Sequence, residues 1–179
     1  LDVLIIVAAG NRQPRRGMRV EEAVTQYPAY LMEDTNRLCE PAGGMNIVTV
    51  GAIAHGNGLS TRATDNVGVR AITNAFEPSP FSRAGPGVRG AIKPDFTDIG
   101  GTLIYDGPTA ALHGGEVRPE AGVMSLHYRP VDRLFAARSG TSHAAPLVAF
   151  KASQILAHFP DSSANLVRAL LAGSASIPG

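Results

Sequence analysis

Residues 3–9, VLIIVAA, run apolar without a break and stop at Gly10-Asn11. A strand with one face to water alternates apolar and polar residues, whereas a run like this one suits burial on both faces of a parallel sheet. We therefore expect a buried strand from Val3 to Ala8. Seven apolar residues are far too few to cross a bilayer. Parallel strands need crossover connections, so helices must alternate with strands and cover the sheet. Asn46–Ala54, NIVTVGAIA, is short, β-branched and bounded by glycine, and reads as a second core strand.

Helical signals alternate with these strands. Val20 to Tyr27 suits a short helix that stops before Pro28. A weaker helix is expected through AYLMEDTNRL, residues 29–38. From Thr141 the signal is strong: Ala145, Val148, Ala149, Ala152, Ile155, Leu156 and Phe159 draw an apolar stripe that Pro160 ends. SSANLVRALLAGSA gives a last helix, with Ser162 or Ser163 as cap and Gly173 as stop. Between His55 and Tyr128 the chain is rich in Gly, Pro, Thr and Asn without a period, which predicts loops and short strands. The whole reads as an α/β layer architecture.

With 179 residues, 44% of them hydrophobic, the chain can bury one core. A formal charge of +1 gives no ground for a nucleic-acid or anionic-membrane partner. The basic stretch with Arg12, Arg15, Arg16 and Arg19 is expected to be a solvated surface. One cysteine, Cys39, excludes an internal disulfide and leaves the compartment open between cytoplasm and exterior. No signal peptide is visible, and a chain that opens inside a core strand is expected to be a piece of a longer protein.

The residues that carry chemistry stand in ARSGTSHAAPLVAF, residues 137–150. A helix N-terminus leaves backbone N–H groups unpaired and carries partial positive charge, so an anion forming beside Ser142 is stabilised. Gly140 admits a substrate backbone without a Cβ in the way. Pro146 lacks the N–H that would bond the Ser142 carbonyl, which loosens that turn. On these residues alone, Thr141 or Ser142 could equally be an N-cap.

SGTSHAAPLVA resembles the nucleophile motif of the subtilisin-like serine proteases, Gly-Thr-Ser-x-Ala-x-Pro ahead of a small-residue helix. VLIIVAAGN is similar to that family's strand ending in Ala-Gly-Asn, NIVTVGAIA to its next strand, and FSRAGPGVRGAIKPDFTDIGG to the segment before the nucleophile. The resemblance implies a three-layer fold with a mostly parallel central sheet, of which residues 1–179 would be the C-terminal part of one incomplete catalytic domain. It implies Ser142 as nucleophile and Asn11 as side-chain donor of the oxyanion hole. Ala8, Ala9 and Gly10 would line the pocket for the residue before the scissile bond. Lys93, Pro94 and Asp95 are read as structural. The implied partners are a peptide or protein substrate and the missing N-terminal half of the domain. No cofactor is evident, and calcium is implied by the resemblance alone.

Serine chemistry of this kind needs a histidine base and a carboxylate to orient it. The family carries both before the Ala-Gly-Asn strand, where this sequence has only Leu1 and Asp2. Asp34-Thr35 and His55-Gly56 run in the family's order with Ser142, but both follow Asn11, and Asp34 lacks the next glycine. His143 cannot serve Ser142, because adjacent helical side chains diverge. His113, His127 and His158 stand in no recognisable context. The chain alone is therefore expected to be inert. Two other classes stay in view. A non-catalytic peptide-binding pseudoprotease would carry altered residues upstream. A nucleotide binder would use GPGVRG, residues 85–90, but Pro94 blocks the helix such a loop must feed.

Overall fold

The computed structural model describes residues 2–12 and 20–177. Among them, ten strands and three α-helices follow in chain order: β1 Ile5–Ala8, α1 Val20–Thr25, β2 Ile47–Ile53, β3 Val69–Ala71, β4 Gly85–Pro86, β5 Ile92–Lys93, β6 Phe96–Ile99, β7 Ile104–Asp106, β8 Ala111–His113, β9 Val123–Leu126, β10 Phe135–Arg138, α2 Thr141–His158 and α3 Ala164–Ser174. The central sheet has the order β1-β2-β6 and is parallel throughout, with Ile5 opposite Ile47 and Val50 opposite Phe96. The remaining strands form small antiparallel sheets, β3-β7-β8, β4-β5 and β9-β10, which build the loop-rich middle region expected from its Gly and Pro content.

Alternation in β2 divides its side chains between two environments. Val48, Val50 and Ala52 enter a core with Ala144, Val148 and Ala152 of α2 and Val167 and Leu171 of α3. Thr49 is fully buried, donating its hydroxyl to the Ala42 carbonyl at 2.6 Å. A side chain at Gly51 would meet Pro94 Cγ at 2.8 Å, so the strand and its neighbour fit only around a glycine. Lys93 and Asp95 lock this region: Lys93 Nζ lies 2.6 Å from Asp95 Oδ2, which accepts the Thr49 N–H at 2.7 Å. Their role is structural, as the sequence suggests. The small residues of α2 let it lie across β1, β2 and β6. Truncating Val148 to alanine would remove about 2–3 kcal/mol from this contact.

Several expectations are corrected. β1 is shorter than Val3–Ala8, with Val3 and Ile5 about half exposed, because among the described residues only β2 pairs with it. Residues 29–38 form no α-helix but two 3-10 turns, Ala29–Met32 and Asp34–Asn36. The buried Asn36 side chain donates to the carbonyls of Leu31 and Ser82, a pattern that closes the segment into turns. Only part of the expected α2 stripe is inside: Val148 and Ala152 are buried and Ala145 and Ile155 half-buried, whereas Ala149, Leu156 and Phe159 are exposed; Thr141 and Ala144, outside the stripe, are buried instead. Gly173 lies within α3, which runs to Ser174, while Ser163 caps it by accepting the Leu166 N–H. Arg12 is not solvated: it is 6% exposed, 5.4 Å above the Tyr30 ring and 3.6 Å from Glu33. Arg15, Arg16 and Arg19 lie outside the described residues. GPGVRG forms the β4-β5 turn, with no α-helix behind it.

Candidate active site

Parallel strands deliver the loops that follow them to one end of a sheet, and ligands gather there. Here the loop after β6 meets the start of α2, where the Gly140 N–H donates to the Gly100 carbonyl at 2.8 Å. The chain leaving β1 meets the same place. The Ala9 N–H donates to the Val50 carbonyl at 2.8 Å, and the Arg12 N–H to that of Phe81 at 2.8 Å. Asn11 is thus held on both sides with its side chain turned to α2.

That side chain caps α2 from a distance of 130 residues. Asn11 Oδ1 accepts the Thr141 N–H at 2.9 Å and the Thr141 hydroxyl at 3.0 Å. The same hydroxyl accepts the Gly10 N–H at 3.2 Å. Gly140 is the N-cap residue and offers no side chain, so neither Thr141 nor Ser142 is the cap. A Cβ at Gly140 would sit 3.2 Å from Asn11 Nδ2 and press on the carboxamide. With Oδ1 committed to Thr141, the amide must point Nδ2 elsewhere, and it donates to no protein acceptor among the described residues.

Ser142 follows on the first turn of α2. It is exposed, its hydroxyl makes no hydrogen bond among the described residues, and its backbone N–H has no acceptor there. Asn11 Nδ2, the Ser142 N–H and the Ser142 hydroxyl thus have no protein partners among the described residues, and Asn11 is tied to Thr141, the neighbour of Ser142. Pro146 sits inside the helix and leaves the Ser142 carbonyl without its usual i+4 partner. Ala9 is buried, and Ala8 and Gly10 are partly buried, along the strand end that leads to Asn11. The bridging role of Thr141 was missed in the sequence. A fully buried threonine at a helix start, far from any local acceptor, is the physical sign of such a tie.

Among the described residues no histidine makes a hydrogen bond with Ser142. His143 is half-buried beside the Arg138–Glu116 pair, which is 3.6 Å apart. Burial pushes its imidazole below the ordinary 6.5; Glu116 pulls it up and Arg138 pushes it further down. His55 is exposed without a side-chain hydrogen bond, and Asp34 Oδ1 is taken by Arg37 at 2.7 Å. The structure does not join them into a relay with Ser142. His113 lies 3.8 Å from Asp106, His127 bonds Arg129, and His158 bonds the Gln154 carbonyl, so these three are held by local partners. Calcium finds no group of three or more His, Cys, Asp or Glu side chains gathered for it among the described residues. No helix among them is long and apolar enough to cross a membrane.

A family model described as the subtilase family, peptidase S8, matches residues 1–178. An uncharacterized protein of Sinorhizobium fredii (strain NBRC 101917 / NGR234), y4bN, is 60% identical over 177 residues, covering 99% of this chain and 41% of its own. The chain thus spans about two fifths of that relative's length.

Proposed function

The chain belongs to the subtilase family, and from that membership we propose that it is the nucleophile-bearing part of a serine endopeptidase. Ser142 Oγ attacks the carbonyl carbon of the scissile peptide bond. The carbonyl oxygen turns negative and receives hydrogen bonds from Asn11 Nδ2 and the Ser142 backbone N–H. A neutral carboxamide suits this work because it is directional and costs little to hold in place before the charge forms. Ala8, Ala9 and Gly10 line the pocket for the residue before the scissile bond. A histidine takes the serine proton and returns it to the leaving amine, and an aspartate orients that histidine. Both belong to sequence outside these 179 residues, and they arrive with the rest of the catalytic domain.

The observation that carries this reading is the Asn11–Thr141 tie. It leaves the Asn11 amide without a protein acceptor among the described residues and holds it against Thr141, whose neighbour Ser142 is exposed. Holding the fold requires neither a free amide nor an exposed serine there. The test is hydrolysis of a protein substrate by the full-length protein beside its Ser142→Ala variant. Turnover that vanishes with Ser142 supports the endopeptidase. Peptide binding without cleavage in both proteins makes the module a pseudoprotease and refutes the reading.

A further inference from the structure

Arg83 packs against the strand end that carries the proposed pocket wall. Its N–H donates to the Gly10 carbonyl at 3.2 Å. A Cβ at Gly10 would lie 3.0 Å from Arg83 Cδ and 3.0 Å from Cys39 Sγ, so these two side chains close that side of Gly10. Gly10 also has φ +98°, a left-handed conformation that keeps glycine there. The Arg83 guanidinium donates Nη1 to the Arg37 carbonyl at 2.7 Å. Its Nε is buried and has no acceptor. Nη2 makes no hydrogen bond among the described residues, so that end of the guanidinium keeps its donors unused.

No carboxylate among the described residues pairs with this cation. In the neighbouring segment Glu33 stands 3.6 Å from Arg12 and Asp34 lies 2.7 Å from Arg37, while the exposed Glu40 makes no ion pair with Arg83. A partly buried guanidinium with an orphaned donor is unfavourable until a counter-charge arrives. This cation lies against Gly10, one residue before Asn11.

We propose that Arg83 makes the floor of the pocket behind Ala8, Ala9 and Gly10 cationic, so that the endopeptidase cuts after an acidic residue, glutamate or aspartate. The proposal rests on the protease reading above and on the pocket assignment within it. The substrate carboxylate supplies the missing counter-ion. A glutamine of the same shape leaves the charge unmatched, and a lysine meets like charge.

The test uses the full-length protein and a peptide series differing only in the residue before the scissile bond: Glu, Asp, Gln, Leu and Lys. The expected kcat/KM for Glu exceeds that for Gln at least 10-fold. Arg83→Ser abolishes that ratio, Arg83→Lys restores part of it, and Arg83→Glu shifts preference toward Lys, in variants whose thermal unfolding shows them folded. Equal cleavage of Glu and Gln peptides, or an acid preference that survives Arg83→Ser, overturns the proposal and leaves the protease reading standing. Absence of any Ser142-dependent cleavage overturns both.

Discussion

Replacing Thr141 by valine tests the tie between β1 and α2 at its centre. The side chain is fully buried, and valine keeps its shape while removing one oxygen. Two contacts go: the hydroxyl donation to Asn11 Oδ1 at 3.0 Å and the acceptance of the Gly10 N–H at 3.2 Å. A net hydrogen bond contributes about 1 kcal/mol, and an orphaned part-buried donor costs about 1–3 kcal/mol. The expected loss is therefore about 2–4 kcal/mol by chemical denaturation of the full-length protein, with Thr141→Ser retaining most of the stability. Function should suffer beyond stability, because Asn11 keeps only the bond from the Thr141 N–H and its amide is freer to turn. Under conditions where the variant is fully folded, kcat falls while KM changes little, as for a contact made in the transition state. For comparison, subtilisin loses about 10²–10³ in turnover when the oxyanion asparagine is removed. Asn11→Ala should approach that loss, and the double variant should add little to it. A Thr141→Val protein with unchanged stability and kcat would show that the hydroxyl joins nothing, and the reasoning would fail.

Three further outcomes follow from other contacts in the fold. Gly140→Ala places a Cβ 3.2 Å from Asn11 Nδ2, so steady-state kinetics should show a larger drop in kcat than its unfolding midpoint suggests. Tyr30→Phe deprives the Pro80 carbonyl of a buried 2.7 Å bond and should cost about 1–2 kcal/mol in denaturant. Because burial lowers the His143 pKa in the folded protein, the unfolded chain takes the proton first as pH falls. Stability from this group is present above about 6.5 and is lost below it, and NMR titration should place the imidazole below that value; a value at or above it would contradict the assigned burial.

The parts of the fold legible in the sequence are those written in local pattern. The β-branched run of Ile47–Ile53 and the small-residue helix from Thr141 could be read directly, since strand and helix periodicities differ. The motif around Ser142 pointed to the site. Neighbours, however, are not encoded in periodicity. The VLIIVAA run tells how much burial it can accept, not that only β2 pairs with it. The same holds for Leu156 and Phe159, which extend an apolar stripe that the described residues leave exposed. Arg12 read as surface because its partners, Tyr30 and Glu33, come 18 and 21 residues later. The Asn11–Thr141 tie spans 130 residues, beyond the reach of any local rule.

The central claim is that Ser142 is a nucleophile that the remainder of the domain activates. Fluorophosphonate labelling followed by peptide mapping tests it most directly, on the full-length protein and on the 179-residue chain. The account predicts one adduct, on Ser142, in the full-length protein, abolished by Ser142→Ala, and no adduct on the isolated chain. Labelling at another serine, or labelling of the full-length protein that survives Ser142→Ala, would contradict it.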